Sequence, residues 1–320
     1  LAIGQLRGQE SMDIQISKYF PSLKIIESLM NRTDVSVFHA AYSNQSVLLK
    51  IHTSEASFIR ETDSMIHLCN KNAPVPKILE VKKIEDRYAF LEEWWNGTTL
   101  SKLFHRLEQP KQMKIIYELG RLLGKIHMSL SQSELELARF WKKAEWQTIT
   151  NFSWKTYIHN QCKKWIGRLK IRPTDTEKGI HLCIDQVLRS LVEMKEPKNL
   201  RLLHHDFVFG NIMVSYDAEQ ILGVIDFEHV SIGDPVYDLV KLIWNDLDTD
   251  DHALETKYLS GYEAETGHTF DHTQLSLYKA ISGLAAVAWV DKQKYSSEEN
   301  EKFREKGLRM LLHHSKLKDC

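Results

Sequence analysis

Three polar residues within Leu202–Asp246 have the types and the spacing for one chemistry. Asp206 follows His204 and His205, and Asn211 comes five residues later. The apolar run Ile221–Ile225 then delivers Asp226. A carboxylate can orient a hydroxyl and take its proton, while an amide oxygen and a second carboxylate can hold magnesium. Those are the parts of phosphoryl transfer, in which the protein supplies positioning and charge stabilisation. Asn211–Ser215 and Ile221–Ile225 read as short strands, and Tyr216–Gln220 between them is turn-like, so the pattern predicts a hairpin. A hairpin brings the residue before its first strand beside the residue after its second. Asn211 and Asp226 would then face a gap suited to a hard cation that shares its oxygen ligands with phosphates. The plainer alternative makes Asp206 and Asp226 turn and cap residues, as Asp at a strand end commonly is. Three matched positions around one hairpin favour the chemical reading.

These residues resemble the aminoglycoside phosphotransferase family, a branch of the protein-kinase-like small-molecule kinases. Its pattern H-x-D-x-x-x-x-N is met by His204, Asp206 and Asn211, and its metal aspartate by Asp226 in Val224-Ile225-Asp226-Phe227-Glu228. Its trailing G-D-P-x-x-D-L is met in full by Gly233-Asp234-Pro235-Val236-Tyr237-Asp238-Leu239. Protein kinases carry D-F-G at the metal motif; Glu228 stands in place of that glycine and fits the antibiotic-kinase branch. His205 departs from the family, which often has glycine there. The resemblance implies that Asp206 is the catalytic residue and that Asn211 and Asp226 hold Mg2+. It makes His204 and Asp238 positioning residues for the catalytic loop.

The phosphate end of a nucleotide needs a cation upstream. Lys50 lies in an apolar run, Val47–Ile51, and Glu61 follows eleven residues later in the amphipathic segment Phe58–Leu68. A strand lysine held by a carboxylate on the next helix is the kinase phosphate clamp, and the family shows the same order. The phosphate-covering loop departs from protein kinases: Arg32–Phe38 contains no glycine. Thr33 or Ser36 could donate a hydroxyl to phosphate there, or the segment could simply begin a strand. A strand over Arg87–Glu93 leads into Trp94-Trp95-Asn96-Gly97, which resembles the family's hinge. Adenine would bond to main-chain groups near Glu93 and Trp95, and the two tryptophans could pack on it or close the junction.

The elements that must position these residues follow from the remaining chain. Its 320 residues are too many for one small core and natural for two lobes. The resemblance sets the boundary: an N-terminal nucleotide-binding lobe at 1–93 and a C-terminal catalytic and substrate-binding lobe at 94–320. Helical spacing of Ile14, Ile16, Tyr19, Phe20, Leu23 and Ile26 predicts a helix over 12–31. Pro74 and Pro76 end the helix that carries Glu61. From Ser101 onward the chain reads as mostly helical, with His127 a structural residue at a helix end.

Composition narrows the class. Apolar residues at 42% and charged ones at 27% describe an ordinary soluble globular protein. A formal net charge of −1 gives no electrostatic case for nucleic acid or an anionic membrane. No apolar run nears the roughly 18 residues that span a bilayer, and the N-terminal stretch lacks the basic start and apolar core of a signal peptide. Cys69, Cys162, Cys183 and Cys320 have no metal-ligand spacing and read as free thiols in a reducing cytoplasm. Segment 244–271 carries eight acids against one lysine, Lys257. Clustered carboxylates would attract a polycation, but an acidic helix start favoured by the helix dipole is the simpler account.

The expectation is therefore an α+β, bilobal protein-kinase-like fold with a small antiparallel sheet lobe and a larger, mainly helical lobe. The resemblance implies transfer of the γ-phosphoryl group of ATP (or GTP), with Mg2+, to a hydroxyl of a small molecule. An aminoglycoside-like antibiotic, which could be cationic, is the first choice of acceptor and would make this a resistance enzyme. A metabolite kinase for an amino alcohol, sugar or homoserine-like substrate is the alternative. A catalytically silent nucleotide-binding protein is disfavoured, because it would have no use for Asp206.

Overall fold

The computed structural model describes residues 16–137, 152–177, 179–247, 252–269, 271–295 and 297–315. The chain divides into two compact units. The first comprises the described residues within Leu1–Glu108, Ser129–Lys142 and Phe209–Ser231; the second, those within Gln109–Met128, Lys143–Val208 and Ile232–Cys320.

The first unit is built on a five-stranded sheet. Its strands are β1 (Leu23–Asn31), β2 (Val35–Tyr42), β3 (Gln45–His52), β4 (Ile78–Ile84) and β5 (Arg87–Glu93), in the order β1-β2-β3-β5-β4 with every neighbour antiparallel. Side chains alternate faces along a strand. Phe38, Ala40, Val47, Leu49, Ile51, Ala89 and Leu91 therefore fill one core with Ile16 and Phe20. The same alternation sends Lys50, His52 and Phe90 to the opposite face. Helix α1 (Glu55–Asn70), capped by the Ser54 hydroxyl, contributes the buried Glu61, and its Phe58 ring meets Phe90.

The helix expected over 12–31 is not what forms. Residues 16–19 are helical, 12–15 lie outside the described residues, and Leu23–Asn31 is β1. Pro21 disfavours helix in itself and in Phe20 before it. Beyond it, pairing with β2 is interrupted by register shifts at Ile25/Glu27 and Ser28/Met30. Such bulges break the two-residue alternation, so the apolar positions imitate a helical period while Ile26 is left exposed.

The expected hairpin is present. A single helical turn, Phe209–Asn211, leads into strand Ile212–Val214, which pairs with Ile221–Val224, Ile212 opposite Val224. Thr98–Thr99 adds a third strand. The hairpin is anchored within its own unit by the Val224 amide, which donates to the Pro74 carbonyl at 3.0 Å. That approach excludes a side chain at Gly223: a Cβ there would lie 2.1 Å from the Pro74 oxygen, at a φ of +151°.

The second unit is mainly helical, with long helices at Gln109–Met128, Trp154–Ile166, Ile180–Glu193, Pro235–Asn245, His252–Thr266, His272–Asp291 and Glu298–His314. A short ladder pairs Arg201–Leu203 with Ser231–Gly233. A small antiparallel sheet in one unit and helices in the other are the fold class expected. Cys69, Cys162 and Cys183 are free, and burial pushes the Cys162 thiol up to about 12, which makes it inert. Cys320 lies outside the described residues. Among the described residues no helix is long and apolar enough to cross a membrane.

Gly223→Ala is expected to lower stability by about 2 kcal/mol or more, because both the backbone angle and the Pro74 contact resist a methyl group. Denaturant unfolding measures it, and a change below roughly 0.5 kcal/mol would contradict this contact.

Candidate active site

In the first unit, the Lys50 ammonium sits between two carboxylates. It donates to Glu61 Oε1 at 2.7 Å and to Asp226 Oδ1 at 2.8 Å. The second Glu61 oxygen lies 2.8 Å from His52 Nε2. Lys50, His52 and Glu61 are all buried. Burial works against the lysine's charge, but Glu61 and Asp226 outweigh it and hold its pKa well above the ordinary value. Arg60, beside Glu61 on α1, donates from Nε to the Glu228 carbonyl at 3.1 Å. Two consecutive helix residues thus fix both the lysine and the segment that follows the hairpin.

Further carboxylates crowd the same place. Glu92 on β5 is buried, and burial followed by the nearby charge of Glu61 pushes its carboxyl up to about 8. Burial and Asp226 likewise raise Glu228, the residue that replaces the kinase glycine. Four carboxylates, from Glu61, Glu92, Asp226 and Glu228, therefore share the neighbourhood of one lysine. Such a cluster is relieved by protonation or by a cation.

The residues present fit magnesium. The Ile225 amide donates to the Asn211 carbonyl at 3.0 Å, so Asn211 and Asp226 flank the paired ends of the hairpin. Asp226 is held at φ +69°, with its side chain 29% exposed. Among the described residues no three or more His, Cys, Asp or Glu are grouped as metal ligands. One carboxylate and one amide oxygen are the sparse donor set of a magnesium ion that takes its remaining ligands from phosphate and water.

The other nucleotide-directed residues fall as follows. The Ser36 hydroxyl is buried and donates to Asn31 Oδ1 at 3.0 Å, whereas Thr33 is exposed in the turn between β1 and β2. The Glu93 amide is taken by the Lys77 carbonyl at 2.9 Å. Trp94 stacks on His39 with ring centroids 3.9 Å apart. Trp95 abuts Gly223, where an added Cβ would meet its ring at 2.5 Å.

Asp206 belongs to the second unit, in a loop held by a buried carboxylate. Asp238 Oδ2 accepts the His204 amide and Oδ1 the His205 amide, each at 2.7 Å. Its Oδ2 also lies 3.1 Å from His127 Nε2, and His127 Nδ1 lies 2.8 Å from the Tyr262 hydroxyl. Burial alone would raise the Asp238 carboxyl, but His127, His205 and His204 bring it down to about 2. His204 accepts the Asp206 amide on Nδ1 at 3.2 Å. The anchoring role expected for Asp238 is thus explicit. The rest of its motif is structural: Asp234 caps helix Pro235–Asn245 through the Val236 amide at 3.0 Å, and a Cβ on Gly233 would strike Trp154 at 2.2 Å. Asp206 Oδ1 pairs with Lys241 Nζ at 3.2 Å on that helix. His205 has φ +66°, the left-handed region that favours glycine.

The acidic segment is largely occupied by local structure. Glu255 pairs with Lys279 at 2.5 Å, Glu265 with Arg121 at 3.1 Å, and Asp271 caps helix His272–Asp291. Asp248, Asp250 and Asp251 lie outside the described residues.

A model of the phosphotransferase enzyme family matches residues 27–278. The chain belongs to that family. It is a phosphotransferase that acts on a hydroxyl group of a small molecule. Solved structures share the fold at low identity. A thermostable mutant of aminoglycoside phosphotransferase APH(4)-Ia, in ternary complex with ADP and hygromycin B, matches with TM-score 0.68 and 13% identity over 95% of this chain and 98% of that one. A microcompartment-associated aminopropanol kinase matches with TM-score 0.65 and 16% identity over 94% and 95%. A spectinomycin phosphotransferase in complex with ADP and spectinomycin matches with TM-score 0.63 and 14% identity over 92% and 93%. A search of curated protein sequences finds no match.

Within this phosphotransferase, sequence reasoning missed Glu92, Lys241 and the Asp238 contact of His127. Glu92 is hidden among strand residues, and only its position opposite Leu48 on β3 and its burial single it out. Lys241 sits three residues beyond Asp238, on the next turn of the same helix, which was the available signal.

Glu92 yields a pH prediction. A carboxyl whose folded pKa is raised contributes stability fully below its unfolded value near 4.5, and loses that contribution as pH climbs towards about 8. The slope is roughly 1.4 kcal/mol per pH unit. Glu92→Gln should therefore raise Tm clearly at pH 8 and scarcely at pH 4.5. An equal gain at both pH values would contradict a buried, protonated Glu92.

Proposed function

We propose that the protein moves the γ-phosphoryl group of ATP to an acceptor hydroxyl in a magnesium-dependent reaction. The observation that carries this reading is the buried Lys50–Glu61 pair with Asp226 on the same ammonium, joined in one unit to the hairpin that bears Asn211. Lys50 is the group for the nucleotide phosphates, and Glu61 keeps its ammonium in place. Asn211 and Asp226 would hold Mg2+, which offsets the charge on the phosphate oxygens. The Thr33 hydroxyl, exposed in its turn, is available to phosphate, while Ser36 supports that turn through Asn31. Main-chain groups near Glu93 and Trp95 are the proposed adenine contacts. Since the Glu93 amide is taken, carbonyls and the Trp95 amide are the groups to consider. The nucleotide assignment is supported by the neighbours bound to ADP.

Asp206 is the proposed catalytic residue. It orients the acceptor hydroxyl, and as the new oxygen–phosphorus bond forms and the bond to ADP breaks, the hydroxyl proton passes to its carboxylate. The transition state is loose and the proton leaves late, so the carboxylate need not be strongly basic. Lys241 holds one Asp206 oxygen, and the amides fixed by Asp238 set the loop. An aminoglycoside-like acceptor draws support from the family resemblance and from the neighbours with hygromycin B and spectinomycin. An amino alcohol draws it from the aminopropanol kinase.

Two variants test the assignment. Asp206→Ala should abolish acceptor-dependent ADP release and leave ATP affinity within a few-fold, because its carboxylate is directed at the acceptor. A folded variant that loses ATP binding would contradict that role. Asp226→Ala should weaken nucleotide binding in the presence of magnesium and remove most of the difference between magnesium and EDTA. An unchanged magnesium dependence, read by calorimetry, would place the metal on other residues.

A further inference from the structure

The second unit contains a cavity of about 630 Å³ whose lining includes His205 and Lys241, the neighbour and the ion-pair partner of Asp206. Its walls are aromatic. Trp165, Trp244, Trp289 and Phe303 line it, with the Trp244 and Phe303 rings 5.0 Å apart and the Trp289 and Phe303 rings 5.7 Å apart. Trp289 is 52% exposed, a large apolar face left to solvent beside the site. Surfaces of this kind take flat, apolar bodies and use a few polar groups to orient them.

The charges in the cavity run against a polycation. Asp206 is paired with Lys241, and both oxygens of Asp238 are taken by loop amides and His127. Glu299 is a carboxylate of the lining without a partner among the described residues, and it is exposed. Arg168 is half-buried, and its guanidinium makes no hydrogen bond or ion pair with any described residue. An aromatic wall could instead hold a single organic cation by its π-face. Over Trp244 that role is already filled: Lys241 Nζ stands 5.7 Å from the ring centroid and Lys306 Nζ 6.0 Å. A third positive charge there would be repelled, whereas an anion would find a guanidinium unengaged among the described residues and able to bind it in a two-pronged fork.

We propose that the acceptor is a hydroxyl compound with a flat, largely apolar ring body and one anionic group, stacked on the tryptophan walls and paired with Arg168. The proposal rests on the phosphotransferase reading of Asp206 and narrows its acceptor. His205 fits the same picture. It keeps a side chain where the backbone favours glycine, and its ring lies in the lining, 5.8 Å from Tyr237.

Three matched probes separate the charge classes: 4-(hydroxymethyl)benzoate, the neutral 1,4-benzenedimethanol and the cationic 4-(aminomethyl)benzyl alcohol. Binding is read by tryptophan fluorescence with magnesium and a non-hydrolysable ATP analogue present. Turnover is read as ADP release, with hygromycin B and 1-amino-2-propanol run alongside. The benzoate should bind most tightly and the amine least. Arg168→Gln should cost the benzoate about 10- to 100-fold, the range for losing a charge-assisted hydrogen bond, and leave the neutral diol unchanged. Trp289→Ala should weaken all three probes. Both positions are partly exposed, so these variants should fold, and circular dichroism checks that. Preference for the amine, indifference to Arg168→Gln or no binding of any probe would overturn the proposal. If hygromycin B or the amino alcohol is phosphorylated with Arg168 and Trp289 irrelevant, the acceptor class is wrong while the phosphotransferase stands. If the benzoate binds through Arg168 yet nothing releases ADP, the cavity assignment holds and the role of Asp206 fails.

Discussion

One ammonium group held out of water between two carboxylates is the constraint on which the first unit of this protein depends. Lys50 can be buried only because Glu61 and Asp226 reach it at 2.7 and 2.8 Å. Removing Glu61, the fully buried partner, would strip much of that compensation in a low-dielectric place, which is destabilising. The three residues come from β3, α1 and the end of a hairpin some 165 residues beyond Glu61. Satisfying the lysine therefore fixes all three elements at once. The surplus of carboxylate around it, eased in part by the raised Glu92 and Glu228, suits a place where phosphate and a divalent cation would meet.

The second unit solves a different problem with the same economy. Its loop carries Asp206 on a backbone that has no regular ladder of its own. Asp238 supplies the missing acceptors, taking two consecutive amides, and His127, itself held by Tyr262, completes its shell. A buried carboxylate brought down to about 2 stays ionised through the physiological range, so the support of the loop that bears Asp206 keeps its charge.

The legible parts of the sequence were those in which chemistry and local spacing coincide. The hairpin and the Lys50–Glu61 pair combine a polar residue with a strand or helix pattern that can be seen in one window, whereas Asp238 was placed by the resemblance to a known family. The resemblance to a known family carried the rest of the site to specific positions. What could not be read were features created by tertiary contact. β1 looked helical because two bulges disturb its alternation. Glu92 is an ordinary strand glutamate until the neighbouring carboxylates surround it. The acids of 244–271 looked like one cluster, yet Glu255, Glu265 and Asp271 each serve a different local partner. The aromatic cavity draws its walls from four helices, at Trp165, Trp244, Trp289 and Phe303, with no periodicity linking them to one another.

His205 shows how a sequence profile can mistake one kind of requirement for another. Its backbone sits at φ +66°, so a preference for glycine at this position scores a dihedral angle and carries no information about the reaction. A side chain at position 205 is therefore carried against the preference of the backbone. If the cavity that His205 lines receives the acceptor, the side chain at position 205 would be retained for the shape of that ligand rather than for the loop.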